Sequence, residues 1–557
     1  MKLILKEYLA SLREREELDA ILPDLLTQMG LNILISPSRG VPEYGVDIAA
    51  VGSINGEEEK VYLFSVKSGN LDRMHWDSGL QALRPSLNDI KDVFIENRIS
   101  EEHKDKHIVI GICFGGDMLS AMADRVAGYT NLNSTENISY EIWNGDKLAA
   151  LVSQFLLSEN IIPWGKQSSL MRKSLALIET PDVSHRYFCN LIHCIFEDNS
   201  DKNIAKKLIQ LNLVLWVLFS WCREEEDNLE AAYISAEYSI LIAWNLVKSY
   251  PRKTTVKRAF ENLLKTYHTI CDAYFEKCIF PFVDKQHVIS ELISAPCSIS
   301  INLKLFDILG RLAIKGQWLL FELTELYKKE TLKSEELVTL QKQLRKVKWA
   351  MNQLVVNNPL LLSPYKDEQA IDLALSLHLL YQDSKDDEFA KNWLEEIVNR
   401  VTFSYATNGM YLTNLYSYEQ LLEHRNKDIA DTAYKESVTK ASILYPTLSI
   451  YSELYGMSKV GGRLEDFSNK ELAHCTLQYW YPNQASEKHL FSGIGQHGVA
   501  TTNLPINGKI ALEHVREECK QSNFFWELSA VKQGYLPLTL MACRYHRYPM
   551  PLNLLFQ

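Results

Sequence analysis

Apolar and polar positions follow two different rhythms along the chain. In residues 1–163, short apolar runs alternate with helical stretches. Segments 31–36, 46–51, 60–67, 107–114 and 139–143 are rich in β-branched and aromatic residues, which predicts strands. An acid-rich stretch over 12–29 reads as a helix, stopped by Gly30, which takes a left-handed cap without steric cost. From about Ser169 onward the apolar residues recur at i, i+3 and i+4, as in Leu208, Leu211, Val214, Leu215 and Leu218, and strand-like alternation almost disappears. No fixed repeat period emerges over 169–470, which leaves a repeat-like superhelix open. The texture changes again near Tyr479. The expected organisation is therefore an α/β domain at 1–163, a large all-α region at 164–478, and a compact tail at 479–557 packed on the helices.

Composition narrows the classes. The chain has 557 residues, 46% hydrophobic and 23% charged, and its 24 Gly and 17 Pro leave no room for collagen-like or long disordered stretches. The net charge of −11 excludes a uniformly basic polyanion binder, so any nucleic-acid site must be local. Charge is also split unevenly: residues 1–163 hold 15 Lys and Arg against 25 Asp and Glu, and the remainder 44 against 45. Ten cysteines without dense spacing, and no signal peptide, predict reduced thiols in a cytoplasmic protein. The Asn-x-Ser/Thr triplets at Asn133 and Asn137 then carry no meaning. The longest strongly apolar run, 211–222, is shorter than the roughly 20 residues a bilayer demands, so no membrane span is expected.

The candidate chemistry lies in the α/β part. A loop ending in Gly45 delivers a strand that opens Val46-Asp47-Ile48, an acid set among apolar residues. An acidic turn comes next, then Val61-Tyr62-Leu63-Phe64-Ser65-Val66-Lys67. Side chains alternate along a strand, so Ser65 and Lys67 project from one face. A carboxylate in one strand and a lysine at the exit of its hairpin partner suit metal-assisted phosphodiester hydrolysis. The acid holds a hard divalent cation, and the lysine orients water and stabilises charge on phosphorus.

The order helix, strand, strand with Asp, strand with x-x-Lys, helix, strand resembles the PD-(D/E)xK nuclease superfamily and, within it, the Mrr-like restriction-endonuclease group. The resemblance covers about 12–155. It rests on Gly45-Val46-Asp47-Ile48, on Phe64-Ser65-Val66-Lys67, and on Ile142-Trp143-Asn144-Gly145-Asp146-Lys147-Leu148, similar to the turn with which Mrr-like domains leave their last strand. It implies a restriction-endonuclease-like fold with a mixed central sheet flanked by helices. It also implies a metal-dependent endonuclease using Mg²⁺ or Mn²⁺ on nucleic acid, DNA foremost, in host defence. Asp47 then matches the metal-binding aspartate, Lys67 the catalytic lysine, and the Val66 carbonyl a further metal ligand. Asp19, after Leu18, stands where the family's first helix supplies an acid, with Glu17 as fallback. The family pattern has an acid or Gln where this chain has Ser65. Serine is a poor metal ligand, so either the site has fewer carboxylates, Glu43 or Asp19 compensates, or the domain is a catalytically inactive binding or interaction scaffold.

Other signals are weaker. Gly493-Ile494-Gly495-Gln496-His497-Gly498 spells a dinucleotide fingerprint without the strand and helix it needs. His185, Cys189 and His193 share a helix face, a pattern that core packing explains. No P-loop motif occurs, so any ATP hydrolysis must come from a protein partner, an ATPase or sensor acting in trans. Lys342, Arg345, Lys346 and Trp349 share a helix face suited to phosphates beside an aromatic ring, and Arg544 and Arg547 form a second such group. A homo-oligomer is a further alternative.

Overall fold

The computed structural model describes the chain apart from residues 1–5, 7–8, 11, 13–17, 36–43, 55, 79–81, 157–163, 198–203, 225–227, 294, 296, 329–333, 385, 427–430, 493–498, 503–505, 522–523 and 557. The dinucleotide-like run 493–498 thus lies outside the described residues. Contacts divide the chain into two compact units, one of 1–236 with 254–270 and one of 237–253 with 271–557.

The first unit is built on a mixed sheet of β1 (Asn32–Ile35), β2 (Ile48–Gly52), β3 (Lys60–Lys67), β4 (Ile108–Phe114) and β5 (Ile138–Trp143). The strands lie side by side in chain order. β1, β2 and β3 are antiparallel neighbours, and β3, β4 and β5 run parallel. All five expected strands form, within two residues of their expected ends. β4 is buried along its whole length, and β3 from its second residue on. Such strands read as continuous apolar runs because helices cover both faces, as parallel pairing requires. Leu83, Leu87, Ile90 and Phe94, with Met122 and Val126 of the helix Ser120–Asn133, pack on the face carrying Val61, Leu63, Ile110, Ile112 and Phe114. The helix Asp19–Gln28 packs against β1 and β2, and Gly145–Leu151 against β5. The helices Trp164–Ala176, Pro181–Phe196 and Ile204–Glu224 belong to the same unit.

The apolar run at 211–222 is part of the longer helix Ile204–Glu224. Its segment Ile204–Arg223 is long and apolar enough to cross a membrane, and 67% of that window is buried within the fold. No disulfide joins any of the ten cysteines.

The second unit is helical, as expected, around the long helix Ser298–Lys328, which packs on Ser334–Asn357, Ala370–Asp383 and Leu536–Tyr545. The expectation of an all-α region needs one correction. β6 (Ala441–Ser442), β7 (Thr476–Trp480) and β8 (Val499–Thr502) form a small sheet, parallel between β6 and β7 and antiparallel between β7 and β8. β6 is only two residues long, and the partners of β7 lie beyond the helices Ser458–Glu471 and Ser486–His489, so the alternation Thr476-Leu477-Gln478-Tyr479 stands alone in a helical background.

Candidate active site at the exit of the third strand

The site begins with a glycine. Gly45 has φ +79°, and a Cβ there would stand 2.1 Å from the carbonyl oxygen of Ser86. Only glycine lets the chain turn this tightly under the neighbouring helix and enter β2. Two residues later, Asp47 donates its backbone N–H to the Phe64 carbonyl at 2.9 Å. Its carboxylate Oδ2 accepts the Val66 N–H at 2.6 Å. Ile48 pairs with Phe64, so the acid stands one residue before the β2–β3 ladder begins and reaches across to the end of β3.

Lys67 is the last residue of β3 and pairs with Phe114, while Ser65 pairs with Ile112. Alternation along the strand places Ser65 and Lys67 on the face that carries Leu63, Ile112 and Phe114. Ser65 is 1% exposed and Lys67 5%. Lysine is almost never this buried unless a partner compensates its charge. Cys113 pairs with Val66 on the next strand. Burial pushes its thiol far up, and the Asp47 charge adds to the shift, so it stays protonated and offers no nucleophile.

The neighbouring loops close around the same end of the sheet. Gly116 N–H donates to Gly69 at 2.8 Å, Gly145 N–H to Gly116 at 2.8 Å, and Asp117 N–H to the Asn70 side chain at 2.8 Å. Asn144 caps the helix Gly145–Leu151 by accepting the Lys147 N–H at 3.0 Å, so the Asn-Gly turn converts strand into helix. Lys6 clasps Asp117 and Asp146, each at 2.9 Å. These acids at the carboxyl ends of β4 and β5 were not singled out from sequence as candidates. Asp146 follows the Asn144-Gly145 pair and Asp117 follows Gly115-Gly116, and these turn residues are the local signals that point to them. In open α/β sheets, ligands gather at this end of the strands.

The other acids are placed less fully. The backbone of Asp19 opens the helix Asp19–Gln28, and its side chain lies outside the described residues, as do Glu17 and Glu43. Among the described residues, no group of three His, Cys, Asp or Glu side chains is placed to hold a metal ion. The donors at the β3 exit are the Asp47 carboxylate, the Val66 carbonyl and the Ser65 hydroxyl, all oxygens of the kind a hard cation takes. One charged ligand fits a Mg²⁺ that keeps most of its waters and suits an all-protein cage poorly.

The remaining candidates separate clearly. On the helix Ser334–Asn357, Lys342, Arg345 and Trp349 are exposed, whereas Lys346 is held by Glu276 at 2.6 Å and lies over the Phe280 ring. Arg544 and Arg547 are not a phosphate grip. Arg544 contacts Asp307 at 3.3 Å and Glu237 at 3.4 Å, and Arg547 holds Asp372 at 2.8 Å with both terminal nitrogens on its carboxylate. His185 meets the Cys189 thiol at 3.3 Å, but burial pushes that thiol up to about 12. A neutral, desolvated thiol fits core packing.

Compared with family models, with curated proteins and with solved structures, the chain finds no match in any of the three.

Proposed function

We propose that the first unit hydrolyses phosphodiester bonds of nucleic acid, DNA foremost, at the exit of β3, with Mg²⁺ or Mn²⁺ as cofactor. The observation that carries the reading is the 2.6 Å hydrogen bond from the Val66 N–H to the Asp47 carboxylate, which anchors an acid beside the strand end where the buried Lys67 stands. Asp47 and the Val66 carbonyl would hold the cation, assisted by Asp19. When bound, the cation supplies Lewis-acid charge for the phosphate and lowers the pKa of water. Lys67 orients the attacking water and stabilises negative charge developing on the phosphoryl oxygens. In an apolar wall that charge acts more strongly than it would in bulk solvent. The backbone hydrogen bond from the Val66 N–H keeps Asp47 aimed. A role in host defence rests on the family resemblance alone.

The test is cleavage of plasmid and single-stranded DNA by the purified chain with Mg²⁺ or Mn²⁺, compared with Asp47→Ala and Lys67→Ala. Loss of cleavage in both variants is expected, and cleavage that survives both rules this site out. A second reading is a non-catalytic nucleic-acid-binding or docking scaffold. It is favoured by the buried Ser65 at the position of the expected acid and by the lack, among the described residues, of any group of three His, Cys, Asp or Glu side chains placed to hold a metal. Calorimetric titration with Mn²⁺ separates the two. Binding abolished by Asp47→Ala contradicts the scaffold, and silence in the parent chain favours it.

A further inference from the structure

The α/β part, with 15 Lys and Arg against 25 Asp and Glu over residues 1–163, offers a polyanion little net attraction, so a grip on nucleic acid needs a local cationic surface elsewhere. The helix Ser334–Asn357 of the second unit carries one. It turns Leu344, Val347, Met351 and Leu354 into the core. On the opposite face stand Val338, Lys342, Arg345, Trp349 and Val356, all exposed and spaced to fall in one line. That stripe runs for about 27 Å along the helix.

Two cations and two rings alternate on it. Lys342 and Arg345 have no acid partner among the described residues, whereas Lys346 is neutralised by Glu276 and Lys348 by Asp383 at 2.8 Å. Trp349 is 41% exposed and makes no ring contact among the described residues. Tyr327, 53% exposed, comes from the end of the helix Ser298–Lys328, and its hydroxyl accepts from the Gln341 amide at 3.0 Å. The rings thus bracket the cations, with about 12 Å of helix from Gln341 to Trp349. The acids Glu335 and Glu336 stand in the first turn, about two turns before Lys342. Unpaired cations attract an anion, and open ring faces attract a flat partner. An unpaired nucleic-acid strand presents a phosphate and a free base face at every nucleotide, a duplex keeps its bases stacked on one another, and an acidic peptide has charge without the flat faces.

We infer that this face grips single-stranded DNA: Lys342 and Arg345 pair with neighbouring phosphates while bases stack on Trp349 and Tyr327. The inference rests on the nucleic-acid hydrolysis proposed above and names where an unpaired strand of that substrate is held.

Fluorescence anisotropy of the full chain in EDTA, with a labelled oligothymidine of about 15 nucleotides and the same strand annealed into a duplex, tests it. The single strand should bind at least tenfold more tightly than the duplex. K342A/R345A changes two exposed positions, so the fold is kept, and should weaken the single strand at least tenfold while lowering the slope of log affinity against log salt by about 1.4. W349A should weaken it about tenfold, and W349F should recover most of that loss. The inference is overturned if the single strand does not bind at micromolar protein, if the duplex binds as tightly, if K342A/R345A and W349A both bind like the parent, or if polyglutamate displaces the strand as well as unlabelled oligothymidine does. Binding in EDTA without cleavage in Mg²⁺ counts against the hydrolysis alone, and cleavage by a chain that shows no such binding counts against this inference alone.

Discussion

A methyl group added at Gly45 would have to share space with the backbone oxygen of Ser86, 2.1 Å away, in a conformation that L side chains rarely adopt. Neither the backbone atom nor the φ of +79° can yield cheaply. Gly45→Ala should therefore cost on the order of 3 kcal/mol in urea unfolding of the first unit. Lys67 calls for a different experiment. Its stem is packed among apolar neighbours, so Lys67→Met keeps the volume but removes the charge, and circular dichroism and urea melts must show the variant folded before its rate is read. If its ammonium acts on water and phosphate, the same variant should lose on the order of 10²–10⁴ in cleavage rate. A folded variant that cleaves as the parent does contradicts that assignment. Asp47 shows what a sequence reveals at this scale and what it hides. Its place at the head of an apolar strand, and the place of Lys67 at the end of the next apolar run, are readable from the letters. Its hydrogen bond to the Val66 N–H is not, because it depends on the register of the two strands and on a turn shaped by Gly45.

At the scale of elements, the helix Ser298–Lys328 is organised by close approach. A Cβ at Gly310 would stand 2.0 Å from the Asp372 carboxylate on Ala370–Asp383, so the absent side chain makes room for the ion pair between Asp372 and Arg547. Asp372 is 1% exposed, and Arg547 contacts both of its oxygens. Removing one partner of a buried pair strands the other charge. Arg547→Ala, which leaves the Asp372 carboxylate buried, should accordingly cost about 3–5 kcal/mol by thermal or urea unfolding, well beyond the effect of an exposed pair. Sequence alone presented Arg544 and Arg547 as loose basic residues near aromatic ones. Their acids, Glu237, Asp307 and Asp372, are far away in the chain, and only the packing of separate helices makes them partners.

At the scale of the whole molecule, acids packed inside the helical unit couple stability to pH, Asp367 buried and Asp307 half-buried. Asp367 is nearly inaccessible, and burial raises its pKa to about 6 even though Ser442 and the Ile443 and Leu444 N–H groups hydrogen-bond its carboxylate. A folded-state value above the unfolded one means that the native state binds the proton more tightly. Its stabilising contribution is complete below about pH 4 and is lost as pH rises through 6. The loss amounts to about 3 kcal/mol at most, which urea melts of the parent and of Asp367→Asn should reveal as a slope present in the first and flattened in the second. Asp307 acts in the opposite sense. Burial raises its pKa, but Arg311 and Arg544 outweigh burial and hold it below the ordinary value, so its contribution is present above about pH 4 and fades as acid is added.

The sequence by itself determined the two textures of the chain, the five strands of the first sheet and the helical character of the remainder. Those features rest on local periodicity, which a few consecutive side chains are enough to express. It also placed Ser65 and Lys67 on one strand and Asp47 at the entrance to its hairpin partner, just before that strand begins. Tertiary structure alone decided the short second sheet, the burial of Lys67, the pairing of Arg544 and Arg547 with distant acids, and the meeting of Tyr327 with Gln341. Each of these depends on groups many residues apart meeting at a few ångströms, and no local pattern carries that distance.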